Sequence, residues 1–145
     1  MRNSRPMAEA STTQRVERLR AVPIFAELDD LALRRVLDAA TEFDAPPGQV
    51  LAEANMAGSG LVVIEDGTVA VELPGKTIEL ATGEFFGELS LLTSLPRVAR
   101  VRATSPVRCL AISRADFERL LEQHPNMAVA MLRIVAGRLA ALESR

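Results

Sequence analysis

Residues 83–103, G-E-F-F-G-E-L-S-L-L-T-S-L-P-R-V-A-R-V-R-A, hold the residue types that could do chemistry. The stretch has three features that an anion site needs. Gly83 and Gly87 let backbone approach a ligand closely. Glu88, Leu89, Ser90, Leu91 and Leu92 suit one or two helical turns whose leading N–H groups point at a negative group. Arg97 follows Pro96, which restricts the local backbone, and its planar guanidinium matches phosphate oxygens. Glu88 has the wrong charge for a phosphate but is a good acceptor for a ribose hydroxyl. An acid for sugar and an arginine for phosphate describe a nucleotide. The same residues also suit a barrel corner in which Glu88 and Arg97 merely pair with each other. Spacing alone leaves both readings open.

The elements that must position this stretch follow from glycine and hydrophobic period. Seven of the eight glycines lie between Gly48 and Gly87, so turns concentrate in the middle of the chain and the flanks are helical in pattern. Residues 12–21 read as a short amphipathic helix ending before Pro23. Asp29 and Asp30 open a second helix through Leu33, Val36, Leu37 and Ala40, and acids in its first turn suit the helix dipole. Pro46, Pro47 and Gly48 then make a turn. From residue 49 to 80 short runs alternate with turn residues, and Val69, Val71 and Leu73 show the period of a half-buried strand. Glu65-Asp66-Gly67 and Leu73-Pro74-Gly75-Lys76 are tight hairpin connections. Two more strand-like runs, VARVRA and VRCLAI, flank Ser105-Pro106. The expected fold is mainly β with flanking α-helices. It is an antiparallel β-roll or jelly-roll barrel of about eight strands, with N-terminal helices and a C-terminal helix pair. Ser113 and Asp116 open the first of that pair in the manner of a capping box, and Pro125 starts the second. Along the second, Ala128, Leu132, Val135, Leu139 and Leu142 step by four and three. That seam packs either on the barrel or on a partner helix.

Composition removes several function classes. The 145 residues are 48% hydrophobic and 25% charged, a globular balance with room for a real core. One cysteine, Cys109, excludes a disulfide within the chain and a Cys-rich zinc site; in a strand it reads as a core thiol. One histidine, His124, excludes multi-histidine metal sites and speaks against a Ser-His-Asp triad. Before Pro125 it reads as a helix-start residue. No cofactor, metal or enzymatic activity is expected. Charge is uneven: residues 1–23 carry a net +3, residues 24–96 a net −10, and residues 97–145 a net +5. The change of sign falls at Arg97. The C-terminal arginines nevertheless lack the aromatic interleaving of a nucleic-acid surface. Residues 1–14 are polar and read as a mobile tail, leaving 15–145 as a single domain. Residues 128–142 are interrupted by Arg133 and Arg138 and are too short to span a bilayer, so a cytoplasmic protein is expected.

The 83–103 stretch resembles the phosphate-binding cassette of the cyclic nucleotide-binding domain family, roughly F-G-E-[LI]-A-L, a short loop, then P-R and a β-strand. Phe86-Gly87-Glu88-Leu89-Ser90-Leu91-Leu92 and Pro96-Arg97 fill that pattern at the family spacing. Val22-Pro23-Ile24-Phe25 with Leu28 is similar to the family's opening helix and turn, and Gly48-Gln49-Val50-Leu51 to its first G-E-x-I strand. Gly58, Leu61, Ile64 and Gly67 are similar to its next hairpin. The likeness runs from about Leu19 to about Leu142. It implies that Glu88 binds the ribose 2′-hydroxyl, that Arg97 binds the cyclic phosphate, and that backbone N–H groups of Gly87, Leu89 and Ala99 contribute. Phe86, Ser90, Pro96 and Val98 complete the implied ligand-binding set.

Three departures refine the expectation. Val98 stands where members often carry Ala, Ser or Thr, and Thr there goes with cyclic GMP. Valine has no hydroxyl to offer, so cyclic AMP is the expected ligand and cyclic GMP the lesser one. Arg100 replaces a common Thr or Ser, and alternation with Ala99 and Val101 points it outward. Asn55, Ala57 and Ser59 replace more typical residues around Gly58, where asparagine tolerates a left-handed backbone. The resemblance therefore implies a stand-alone sensor that binds cyclic AMP and signals through its C-terminal helices. Its partner is an effector protein or a second copy, with no DNA-binding domain and no membrane segment. The alternative is a degenerate interaction module that keeps the fold but binds no nucleotide.

Overall fold

In the computed structural model, which describes residues 11–52, 60–87 and 99–143, the short apolar runs form two antiparallel sheets of four strands each. The strands are β1 (Thr41–Ala45), β2 (Val50–Ala52), β3 (Gly60–Asp66), β4 (Thr68–Leu73), β5 (Lys76–Ala81), β6 (Phe85–Phe86), β7 (Arg100–Ala103) and β8 (Val107–Ser113). The first sheet runs β1-β8-β3-β6 and the second β2-β7-β4-β5. The inner faces of the two sheets enclose one core, containing Val62, Ile64, Val69, Phe86, Val101, Ala103 and Cys109. The outer face of the first sheet forms a second core with the helices, through Leu61, Val63, Phe85, Leu110 and Ile112. β3 and β8 are thus covered on both faces. This is why Leu61-Val62-Val63-Ile64 is an unbroken apolar run, whereas the β4 positions Val69 and Val71 alternate with less apolar ones.

Four α-helices are described. α1 (Thr12–Arg20) and α2 (Asp30–Ala39) precede the strands, while α3 (Arg114–Gln123) and α4 (Pro125–Glu143) follow them. A 3-10 turn at Pro23–Phe25 joins the first two and buries Ile24 and Phe25. Asp29 caps α2, accepting the Ala32 N–H at 2.9 Å, and Ser113 caps α3, accepting the Asp116 N–H at 3.1 Å. His124 closes α3 by donating its N–H to the Leu120 carbonyl at 2.8 Å. Its own carbonyl accepts from Met127 at 2.9 Å, so it ends one helix as well as leading into the next. Gly67, at φ 107°, makes the β3–β4 turn; a Cβ there would sit 2.4 Å from the Pro106 carbonyl oxygen.

The structure decides three points of the expected fold. Residues 12–14, shared between the expected tail and the expected 12–21 helix, belong to α1, because Ser11 and Gln14 exchange the two hydrogen bonds of a capping box. The chain does not pass directly from α2 to the Pro46-Pro47 turn. Between them Thr41–Ala45 forms β1, an edge strand that directs Phe43 and Ala45 into the barrel core and bears Glu42 and Asp44 on its other face. The α4 seam is also out of phase with the buried face. Met127 and Met131 are buried and Ile134 and Val135 pack against the helical core, while Leu132 is 67% exposed and Leu139 55%. Leu132 and Leu139 of the seam therefore do not cover the protein's own barrel, whereas Val135 packs against the helical core.

Candidate ligand site

The approach to the cassette is held on one side by β3. Gly83 donates its N–H to the Ile64 carbonyl and Ile64 donates to the Glu84 carbonyl, both at 2.8 Å. The Glu84 side chain turns back to accept the Ala81 N–H at 2.8 Å. Phe85 and Phe86 then pair with Val63 and Val62. The two phenyl groups point to opposite sides of the sheet. Phe85 enters the helical core and Phe86 the barrel core. Such a two-residue strand is anchored far better than its length suggests, because each ring is locked in a different packed interior. Gly87 follows with φ 97°, a conformation that turns the chain out of the strand.

Ala99, 8% exposed, and β7 receive the chain on the second sheet. The cassette thus runs from an edge strand of one sheet to an inner strand of the other. Phe86, Gly87 and Ala99 bracket it, while Glu88, Leu89, Ser90, Pro96, Arg97 and Val98 lie outside the described residues, as do Asn55, Ala57, Gly58 and Ser59. Arg100 is exposed and shares the face of Arg102, opposite the buried Val101 and Ala103. It points away from the barrel core, as alternation predicts. Arg102 is engaged by the Glu72 carboxylate, 3.2 Å from its Nε, and by the Gly48 carbonyl at 3.1 Å.

One residue at this site was not singled out from the sequence. Arg138 of α4 donates from Nη2 to the Phe85 carbonyl at 2.7 Å, and its guanidinium carbon lies 4.5 Å from the centre of the Phe85 ring. In sequence Arg138 only interrupts an apolar segment. The available signal was its helical phase: it falls four residues after Ile134 and seven after Met131, on the buried face. Cys109 is fully buried in β8, and burial pushes its thiol up to about 12, with Glu65 and Asp44 adding to the effect. Among the described residues no group of three His, Cys, Asp or Glu side chains is placed to hold a metal.

The architecture is thus an antiparallel β-roll with helices on one sheet's outer face and a bracketed segment joining the two sheets. Residues 42–124 match the family model described as cyclic nucleotide-binding domain, and the chain belongs to that family. It is 34% identical to a cyclic nucleotide-gated potassium channel of Rhizobium etli over 125 residues, which are 86% of this chain and 34% of the channel. It is 32% identical to a cAMP-dependent protein kinase regulatory subunit of Yarrowia lipolytica, covering 71% of this chain and 28% of the subunit. The chain therefore spans about a third of the length of the curated relatives it matches. In fold it is similar to the regulatory domain of Toxoplasma gondii PKA crystallised with cAMP, at a TM-score of 0.74 and 21% identity. That match covers 86% of this chain and 50% of the other. It is also similar to the regulatory subunit of a cAMP-independent protein kinase A from Trypanosoma brucei, at a TM-score of 0.75 and 26% identity, covering 86% of this chain and 47% of the other. No helix among the described residues is long and apolar enough to cross a membrane.

Proposed function

We propose that the domain, over residues 15–145, is a non-catalytic sensor for cyclic AMP, with cyclic GMP the weaker ligand. In this reading Glu88 holds the ribose 2′-hydroxyl, Arg97 the cyclic phosphate, and Gly87, Leu89 and Ala99 add backbone N–H donors. Phe86, Ser90, Pro96 and Val98 shape the rest of the site. The observation that carries the reading is the F-G-E-L…P-R cassette entering between two anchored ends, Phe86 and Ala99, each buried in the barrel core or beside it. The chain has no Trp or Tyr, so an adenine ring is covered by aliphatic, arginine or phenylalanine side chains. Binding is passed to α3 and α4, and from there to an effector protein or a second copy. The exposed seam of Leu132 and Leu139 supports that output, because it offers apolar surface that the domain leaves uncovered.

Thermal melting with and without nucleotide tests the proposal. Cyclic AMP at a hundredfold excess over its dissociation constant adds about 2.7 kcal/mol to stability and raises the midpoint. Arg97→Ala removes a charge-assisted bond worth about 1.5–3 kcal/mol, so affinity falls about tenfold or more. An unchanged midpoint with millimolar cyclic AMP and cyclic GMP would sink the sensor reading. The second reading, an interaction module without nucleotide, would then stand. It is favoured by one observation: the fold occurs with similar fidelity in a protein described as cAMP-independent.

A further inference from the structure

We propose that Arg138 is a positioning residue that ties α4 to the strand opening the cassette, so that helix and Gly87 shift together. The inference rests on the reading of residues 86–99 as a ligand site. Its geometry comes from the edge of the first sheet. β6 pairs with β3 on one side only, and the Glu84 carbonyl already faces β3 through its bond from Ile64. Carbonyl direction alternates along a strand, so the next carbonyl, that of Phe85, faces away from β3. Among the described residues no neighbouring strand is there to meet it. The Arg138 Nη2 donor at 2.7 Å takes that place, 53 residues along the chain.

The same guanidinium stacks on the Phe85 ring at 4.5 Å, so one residue of β6 is held through both backbone and side chain. Phe85 is 1% exposed, so this contact belongs to the packed interior rather than to a mobile surface. Position along α4 matters as well. The first half of the helix is gripped by buried Met127 and Met131, while Leu132, Ala136, Gly137, Leu139 and Ala140 are exposed further on. Arg138 fastens this later, less embedded part of the helix, and it does so two residues before the chain turns at Gly87. A lysine would keep charge and a donor but lose the planar stack.

Hydrogen exchange on the full 145-residue chain tests the tie, comparing wild type, Arg138→Met, which retains an unbranched apolar stem over the ring, and Arg138→Lys. Without nucleotide, Arg138→Met should speed exchange at residues 85–87 by about fivefold, the effect of losing one ordinary hydrogen bond, and leave the β4–β5 hairpin unchanged. Arg138→Lys should restore part of the protection. With cyclic AMP, the wild type should gain protection in both the cassette and residues 132–143. Arg138→Met should keep the first gain and lose the second. Equal exchange at residues 85–87 in wild type and Arg138→Met, or an undiminished response of residues 132–143 in that variant, would overturn the proposal. If cyclic AMP protects nothing in the wild type, the ligand reading fails, and the nucleotide-free comparison still decides whether Arg138 positions β6.

Discussion

Glu42 of β1 and Glu65 of β3 bring their carboxyl groups together on the outer face of the first sheet, across the intervening strand β8. Both Glu65 oxygens and Oε2 of Glu42 are shielded from water and have no donor while both groups are ionised. Protonation of Glu65 supplies the missing donor, directed at Glu42. Burial, followed by the hydrogen bond to Glu42 and its charge, pushes the Glu65 carboxyl up to about 7. Arg108 of β8 and Arg18 of α1 oppose the shift. Around the pair, Arg108 Nε lies 3.1 Å from Asp44, and Arg15 of α1 lies 3.4 Å from Glu42.

Stability should therefore fall as pH rises from about 4.5 to about 7, then level off. The folded protein retains a proton on Glu65 in that window, whereas the unfolded chain has released it. Glu65 is half-buried as a whole residue, so solvent screening holds the contribution to about 1 kcal/mol. Urea unfolding at pH 5 and pH 8 measures it. Glu65→Gln should flatten this part of the profile and be the more stable protein at pH 8. Parallel profiles for the two proteins would count against a raised Glu65 carboxyl.

Gly67→Ala should destabilise the fold by about 3 kcal/mol, combining a positive-φ penalty with overpacking. Its Cβ would lie 2.4 Å from the Pro106 oxygen and 2.7 Å from a Val107 methyl carbon. Gly75→Ala is the control: φ is also positive, at 72°, but nothing lies within 4 Å. It should cost about 1 kcal/mol. Denaturant midpoints that fail to separate the two variants would show that the β3–β4 turn yields to the added methyl.

Leu132→Glu and Leu139→Glu should leave stability within about 0.5 kcal/mol, since both side chains are largely exposed. They should abolish any concentration-dependent association detected by sedimentation. A wild type that sediments as a monomer across the accessible concentration range would remove the second copy as the partner.

Cys109 should be inert to thiol reagents in the native protein, being fully buried with its thiol pushed up to about 12. Its labelling rate in increasing urea should follow global unfolding measured by circular dichroism. Rapid labelling without denaturant would reveal a local opening of β8.

Val98→Thr places a hydroxyl where the family pattern associates threonine with cyclic GMP. Titration calorimetry should find the cyclic GMP to cyclic AMP affinity ratio raised about tenfold, the effect of one well-made hydrogen bond. An unchanged ratio would locate base preference elsewhere in the site.

The order of turns, the opening of α2 at Asp29, the cap at Ser113 and the hairpins at Gly67 and Gly75 were legible in the sequence. Each depends on residues a few positions apart, where backbone preference and local hydrogen bonding act directly. β1 was not legible, because Thr41–Ala45 offers only one large apolar residue and becomes a strand by pairing with β8, more than sixty residues away. Which of the two readings of the α4 seam holds was not legible for a related reason. Two apolar stripes run along the helix, and only docking on the barrel selects the one with Met127 and Met131, leaving Leu132 and Leu139 outside. Folding across long sequence separations likewise brings Glu42 to Glu65 and Arg138 to Phe85, contacts that no local pattern encodes. Local sequence determined the elements and the candidate ligand chemistry. Tertiary packing decided which faces were buried and which charged groups met.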